Sequence, residues 1–435
     1  MKRRSLSKGQ AFRGFFVATA AFFAVFASTA VPIPLYATYQ ATIGLTNTEI
    51  SFTMLAYLSG VILTLLLAGR LSDALGRKAT TFVALLLAVA GCTLFLFAAD
   101  AGAILTARFV QGVAGGLAMS AVSALIVDCI SDYRMGWGSA MASCGSMVGI
   151  MLGSLGVGFL YGATTSTDIV YGAMIAVLAL IALLLPLVPE PLEKRVSWRT
   201  ATKVRVLVPC SARMLFLISG CVYIATWSVG TFFQSFSAPL SVECFAADST
   251  LTASLVLACA MAPSALGGPL AARLAPMVAL KAGVLLFAVS TVLLSLLLAA
   301  GFQAAFLLAA VSFSLSMGIC VSTTLRMLLL AVDVSETSAI ISSINLTAYA
   351  GTSALSVVMG VLVGMCSFSD ILAFLAVMTV VVAGVVFAYE NVCQGSLTVD
   401  FARNAFPLLS IRVRLSLLSA VLCGLPGAML WFLNC

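Results

Sequence analysis

Residues 69–78 read GRLSDALGRK, a short charged stretch between two apolar runs at 50–68 and 80–98. Each run has about the 20 residues that an α-helix needs to cross a hydrocarbon core of about 30 Å. A connection this short must reverse the chain, and Gly69 and Gly76 give the backbone the freedom to do so. The stretch therefore predicts a helical hairpin that crosses a membrane twice.

Composition extends this prediction to the whole chain. Of its 435 residues, 62% are hydrophobic and 9% are charged, too few charges to cover the surface of a soluble protein of this length. Inside a bilayer, backbone polar groups must be satisfied within helices or closed barrels. Long unbroken apolar runs favour helices over a barrel. The predicted fold class is therefore an all-α membrane protein.

The apolar runs fall into two groups of six. The first six are 15–38, 50–68, 80–98, 104–127, 138–161 and 169–187, and the second six are 214–235, 251–270, 282–300, 302–325, 337–365 and 371–389. We predict a six-helix half at 1–189, a cytoplasmic linker at 190–213, a second half at 214–390 and a tail at 391–435. The tail carries an apolar run, 415–433, interrupted by glycine and proline, so a thirteenth span, a re-entrant hairpin and an interfacial helix all stay open.

Basic residues set the expected orientation, because cytoplasmic loops carry an excess of Lys and Arg. With a cytoplasmic N-terminus nearly all of them fall inside, whereas the outer ends carry acids and no lysine. This predicts a multi-pass protein of a bacterial-type inner membrane. The basic start and Ser28-Thr29-Ala30 also fit a signal peptide, but the apolar run continues to Tyr36 and a second span follows, so an uncleaved first helix is expected.

Several function classes are excluded by what the sequence lacks. Histidine is absent and the twelve cysteines form no CxxC pair, so neither a metal site, a cofactor nor a disulfide framework is expected. No basic face with stacking aromatics points to nucleic acid. The spans hold no acid pair for an enzyme, and no GxxxxGK[ST] loop exists for ATP.

The stretch 69–78 resembles the loop signature of the major facilitator superfamily, GxLaDrxGrkxxl. With twelve predicted spans around it, the chain looks like a transporter of this family, in which two halves rock about a midplane site. The resemblance implies a conformational latch formed by Gly69, Asp73, Gly76, Arg77 and Lys78. It also implies a charge relay between Asp73 and Arg77. The family prefers a basic residue after the acid, where this chain has Ala74, which implies a weaker latch.

An arginine lies inside the predicted fourth span. Arg108 is costly in a bilayer unless it faces water or a partner, and Gln111 lies on the same helical face. Residues 108–116, RFVQGVAGG, resemble the family's fourth-helix motif with RxxqG, which implies proton coupling or substrate binding. An arginine that snorkels to the outer headgroups is the alternative. Asp128, farther along, is interpreted as a charge of the inner surface.

The predicted fifth span carries a stripe of glycines, Gly145, Gly149, Gly153 and Gly156, on which another helix can pack closely. The spacing resembles the family's antiporter motif gxxxGPxxGG. Ile150 stands where that motif has proline, a departure that weakens an antiporter interpretation.

The remaining candidates for substrate contact or coupling are Glu49, Tyr36, Tyr223, Trp227, Gln234, Asn345 and Tyr349. Several share a helical face and could line a cavity, although each could equally make a helix–helix hydrogen bond. Glu49, at the outer start of the second span, is the nearest titratable candidate, because no Asp or Glu lies mid-span.

The predicted function is secondary transport of a small organic molecule by alternating access. Efflux of a drug-like compound or metabolite is the leading direction and predicts tolerance of substitution at Arg108. Uptake of a small anionic metabolite is the alternative, with Arg108 as its carboxylate partner. A scaffold or sensor that has lost transport is the alternative from another class. The expected partners are a small-molecule substrate, the bilayer and, as a candidate coupling ion, the proton; the protein is expected to act as a monomer.

Overall fold

The computed structural model describes residues 6–68, 71–191, 212–246, 249–332 and 336–393. Within these ranges all regular elements are helical, and twelve helices are long and apolar enough to cross a membrane. The all-α architecture of twelve spans predicted from the apolar runs is confirmed. The apolar run at 415–433 lies outside the described residues.

The first helices are α1 (Lys8–Ala30), α2 (Tyr36–Ile43), α3 (Asn47–Ala68), α4 (Leu71–Leu75), α5 (Arg77–Leu96), α6 (Ala101–Leu117), a π-helical segment (Ala118–Val122), α7 (Ser123–Thr164) and α8 (Thr167–Leu184). The later helices are α9 (Arg213–Phe245), α10 (Thr250–Met261), α11 (Ser264–Ala271), α12 (Pro276–Ala299), α13 (Gln303–Leu330), α14 (Thr337–Leu362) and α15 (Phe368–Cys393). The fourth span, Ala101–Arg134, joins α6, the π-helical segment and the start of α7, and the backbone breaks from helical geometry at Arg134.

The first span differs from the predicted run at 15–38. Its helix begins at Lys8, because Ser7 and Gln10 form a capping box that satisfies free amides at the helix start. It ends at Ala30, because Pro32 and Pro34 cannot continue a hydrogen-bonded helix. The rest of the run forms the separate short helix α2. The length of an apolar run indicates whether a segment can cross the bilayer. It does not show where proline interrupts the helix.

Contacts divide the chain into two compact units. The first contains the first six spans together with Phe232–Ala265. The Ser154 hydroxyl of α7 donates to the Ser254 carbonyl at 3.1 Å, and the Cys144 thiol donates to the Ala265 carbonyl. The second contains α9 up to Thr231 and the helices that follow Ala265. The boundaries of the two halves and the linker stay predictions, since residues 192–211 are not described.

Close approach of α1 and α7 depends on glycine. A Cβ atom at Gly145, Gly149 or Gly153 would lie less than 3.0 Å from atoms of α1, including the backbone carbonyls of Phe23 and Ala27. Gly156 is different, because a Cβ there meets nothing within 4 Å. It opens onto an apolar groove of about 390 Å³ between α1, α7 and α8.

Candidate functional site

Arg108 of α6 is buried, with 1% of its surface exposed. Its Nε donates to the Tyr36 hydroxyl at 2.7 Å. Its Nη1 donates to the Thr29 carbonyl at 2.6 Å and to the Gln111 side-chain oxygen at 3.1 Å. The structure thus brings together three of the residues predicted as candidates, Arg108, Gln111 and Tyr36. We call these residues, with Ser28 and Thr29, the arginine socket.

The carbonyls in the arginine socket come from the end of α1. The last carbonyls of a helix lack intrahelical partners, and together they form the negative end of its dipole. The Ser28 carbonyl would normally accept from the residue at position 32, but Pro32 has no N–H. It accepts instead from Gln111 Nε2 at 2.8 Å. The helix end therefore offers a guanidinium the oxygen acceptors and the negative potential that the bilayer cannot supply.

Helix α3 supplies the next layer of contacts. The Thr53 hydroxyl donates to the Ile50 carbonyl at 2.7 Å, so it accepts from the Tyr36 hydroxyl at 2.8 Å. The Arg108 guanidinium lies over the rings of Tyr36 and Tyr57, 5.5 and 5.9 Å from their centroids. A Cβ at Gly112 would meet the Tyr57 backbone at less than 3.0 Å, so this glycine permits the approach of α6 to α3.

The charge of Arg108 is stabilised without an ion pair in the part of the chain that is described. Its hydrogen-bond partners there are carbonyl, amide and hydroxyl oxygens, and its Nη2 is buried with no partner. The α1 dipole and the two tyrosine rings favour a cation at this point. In this structure the guanidinium is enclosed by the chain itself.

Helix α2 holds Tyr36 in place. The Tyr39 hydroxyl donates to the Tyr171 hydroxyl at 2.9 Å, and the Tyr171 ring stacks on Phe95 with centroids 5.6 Å apart. Tyr39 lies outside the candidate spans, and burial raises the pKa of its phenol well above the usual value. The phenol therefore stays protonated and remains a donor. These contacts fix the short helix that begins with Tyr36.

The predicted latch lies at the other end of the first unit. Gly76 has a positive φ of 101°, a conformation that glycine adopts readily, and α5 begins at the next residue. Arg77 Nε donates to the Asp128 carboxylate at 3.2 Å, and its Nη1 donates to the Ser72 hydroxyl. Lys78 Nζ donates to the Pro186 carbonyl at 2.9 Å.

The acid that pairs with Arg77 was not predicted from the sequence. The Asp128 side chain is 5% exposed and pairs with Arg77, a contact that its interpretation as a charge of the inner surface did not include. The sequence did contain a signal for this pair: Asp128 lies in the same span as Arg108, and a carboxylate buried there needs a cation as its partner. Gly69 and the Asp73 side chain lie outside the described part of the structure. The Asp73–Arg77 relay therefore stays a prediction.

Three predicted candidates meet in the second unit. The Tyr223 hydroxyl donates to the Val321 carbonyl at 3.3 Å, and its ring lies 5.8 Å from that of Trp227. The Trp227 ring contacts Tyr349 edge-on at 4.7 Å. Asn345 is half-buried on α14, the helix of Tyr349. These aromatic contacts pack α9 against α14.

Two other candidates lie in the first unit. Gln234 of α9 is half-buried. The Glu49 carboxylate accepts from the Thr46 amide and hydroxyl, both at 2.8 Å, and the Thr46 hydroxyl accepts from the Glu49 amide. Glu49 therefore caps the start of α3. Among the described residues, no three His, Cys, Asp or Glu side chains are placed to hold a metal ion.

Comparison with known proteins agrees with this architecture. The family model of the Major Facilitator Superfamily matches residues 17–356. The multidrug resistance protein MdtL of Shewanella sp. (strain ANA-3) is 38% identical over 96 residues, which are 21% of this chain and 23% of that relative. The shared segment is thus less than a quarter of the relative's length. Because the family model covers most of the chain, this multi-pass membrane protein belongs to the major facilitator superfamily.

Proposed function

We propose that the protein exports drug-like organic compounds, apolar or cationic, by alternating access. The observation that carries this proposal is the arginine socket: the charge embedded in the fourth span is enclosed by carbonyl oxygens of the same chain. A site of this kind offers an anionic substrate no open guanidinium. The similarity to a protein named for multidrug resistance supports the same substrate class.

The acids of the spans support this choice of substrate. Within the described spans each Asp or Glu lies within about two turns of a span end. Glu49 is a helix cap and Asp128 is paired with Arg77. Recognition of a drug-like compound would therefore rely on apolar and aromatic side chains with few polar groups, as in most small-molecule sites.

Arg108 acts in this account as a structural coupling residue. Its donors join the end of α1 to α6, while Tyr36 connects the same guanidinium to α3. A change at Arg108 should therefore alter how three helices move together and leave compound binding in place. This expectation separates export from its main alternative.

Uptake of a small anionic metabolite is the second candidate function. The observation that favours it is Arg108 Nη2, which is buried and has no hydrogen-bond partner. If another state of the cycle opens the socket, this donor would meet a carboxylate. Arg108→Gln distinguishes the two candidates: ligand-induced stabilisation of the purified protein survives for an exported compound and is lost for an anion bound at Arg108.

We also propose that a proton gradient drives export, that the protein lies in a bacterial inner membrane with its N-terminus in the cytoplasm, and that it acts as a monomer. The excess of Lys and Arg at the predicted inner ends supports the orientation. In a variant whose twelve native cysteines are replaced by serine, a cysteine added before Lys8 should be labelled by an impermeant maleimide in inverted vesicles only. Labelling in intact cells would show that the N-terminus lies outside the cell and would overturn the proposed orientation.

The proposed function is tested by ethidium efflux from cells that lack their own multidrug exporters. Preloaded cells that express the chain should lose ethidium at least threefold faster than cells with empty vector. A protonophore should remove the difference. Equal rates with and without the chain would overturn export of such compounds and would favour the anion carrier or a scaffold that does not transport.

A further inference from the structure

Glu190, which follows the sixth span, contacts the start of α5. Its Oε1 accepts from the Arg77 amide at 3.1 Å, and its Oε2 accepts from the Lys78 amide at 3.0 Å. The first amides of a helix have no intrahelical partner, and a helix start favours negative charge. One carboxylate therefore satisfies two adjacent free amides at the positive end of the α5 dipole.

The segment around Glu190 is held in place from both sides. Val188 is 1% exposed and Pro191 is buried. A Cβ at Gly14 of α1 would touch the Pro189 ring at 3.5 Å, so this ring packs against α1. Lys78 Nζ, which belongs to the capped helix end, donates back to the Pro186 carbonyl. Glu190 is thus a fixed contact between the exit of α8 and the start of α5.

Arg77 connects this contact to the ion pair of the latch. Its backbone amide is bound by Glu190, and its guanidinium is bound by Asp128. The position of the Arg77 backbone determines where its guanidinium can reach. Two acids on separate segments, one in α7 and one after α8, therefore act on a single residue.

We propose that Glu190 is a positioning residue of the transport cycle: it fixes the start of α5 so that Arg77 pairs with Asp128. Arg77 and Asp128 make the ion pair, and Glu190 acts through Arg77. The proposal rests on the transporter activity of the family and not on the identity of the exported compound.

The test is a double-mutant cycle of Glu190→Gln and Asp128→Asn, read as ethidium efflux per folded protein and as melting temperature. Glutamine keeps the length of the side chain, but its NH2 group faces an amide donor where an oxygen accepted before. We expect Glu190→Gln to lower the maximal efflux rate at least fivefold with an unchanged KM. In the Asp128→Asn background it should not lower the rate further, and it should lower the melting temperature by less than in the wild-type chain, because only the helix cap is then lost.

Asp100→Asn is the matched control. Asp100 caps α6 by accepting from the Ala103 amide at 2.8 Å, and asparagine caps helices equally well. Its efflux should stay within twofold of wild type.

Two results would overturn the proposal. One is an effect of Glu190→Gln on rate and melting temperature that is equally large with and without Asp128→Asn. The other is a lower melting temperature with an unchanged rate. If the wild-type chain moves no ethidium, the proposed substrate class fails, and the cycle is read from melting temperature alone. A loss that is smaller in the Asp128→Asn background than in the wild-type chain supports positioning, and equal losses in both backgrounds overturn it.

Discussion

Pro32 leaves the Ser28 carbonyl without a helical donor, and Gln111 Nε2 occupies that carbonyl at 2.8 Å. The next carbonyl, that of Thr29, accepts from Arg108 instead of Ile33, whose amide turns back to Ala30 at 3.1 Å. A break in α1 thus creates the acceptors that hold a charged side chain inside the bilayer. The arginine socket is a consequence of where α1 ends.

Pro32→Ala tests this origin of the socket. Alanine restores an N–H that can bond to the Ser28 carbonyl and extend α1, so Gln111 loses its acceptor. We expect ethidium efflux to fall at least threefold. Pro34→Ala is the control, because the Ala30 carbonyl, one turn before Pro34, already accepts from Ile33. Equal effects of the two substitutions would refute the role of Pro32.

Tyr36→Phe should destabilise the protein. It removes the acceptor of Arg108 Nε and leaves a buried, charged donor unpaired, which costs about 1–3 kcal/mol. Tyr161→Phe is the comparison, since it removes only a bond of 3.3 Å with Thr38. Thermal unfolding in detergent should show the larger drop in melting temperature for Tyr36→Phe. The same melting temperature for both variants would contradict the socket geometry.

Two glycines of the fifth span should respond to alanine in opposite ways. At Gly153 the added methyl meets the Ala27 backbone of α1 and forces the helices apart, at a cost of about 1–3 kcal/mol. At Gly156 the methyl enters open space, and the better helix propensity of alanine gains up to about 1 kcal/mol. Melting temperatures of the two variants measure the difference. A drop for Gly156→Ala as large as that for Gly153→Ala would show that the groove is closed.

A lysine at position 108 (Arg108→Lys) should not restore the function of arginine. A lysine ammonium is a point charge and lacks the planar fork of donors that reaches Tyr36, Thr29 and Gln111 at once. We expect less than a tenth of the wild-type efflux rate, with ethidium still raising the melting temperature of the purified variant. The tolerance of substitution at Arg108 that the sequence predicted for an exporter should therefore hold for compound binding and not for the efflux rate, because Arg108 joins three helices. Wild-type efflux by this variant would mean that only the positive charge at position 108 matters.

The sequence predicted those features of the fold that depend only on local residue patterns. Apolar runs of bilayer length predicted twelve spans, and the stretch 69–78 predicted a turn before the span at 80–98, whose helix begins at Arg77 in the structure. The cost of a buried guanidinium singled out Arg108, and helical spacing placed Gln111 beside it. Each of these inferences needs only the local sequence and the properties of the bilayer.

The partners of these residues could not be predicted in the same way. Which acid meets Arg77 depends on how α5 packs against α7, which periodicity alone does not specify. Glu190 lies in a polar interval that was interpreted as linker, and its role depends on the fold of the chain after α8. The carbonyls of Ser28 and Thr29 carry no side-chain signature, although Pro32 was visible as a helix break.

The central claim, that this chain exports drug-like compounds, is tested most directly with the purified protein in liposomes. Liposomes that enclose DNA report ethidium entry as a rise in fluorescence, and an imposed proton gradient supplies the driving force. The account predicts a faster rise with the wild-type chain than with Asp128→Asn, in which the Arg77 ion pair is lost. A wild-type rate equal to that of protein-free liposomes under the same gradient would contradict it.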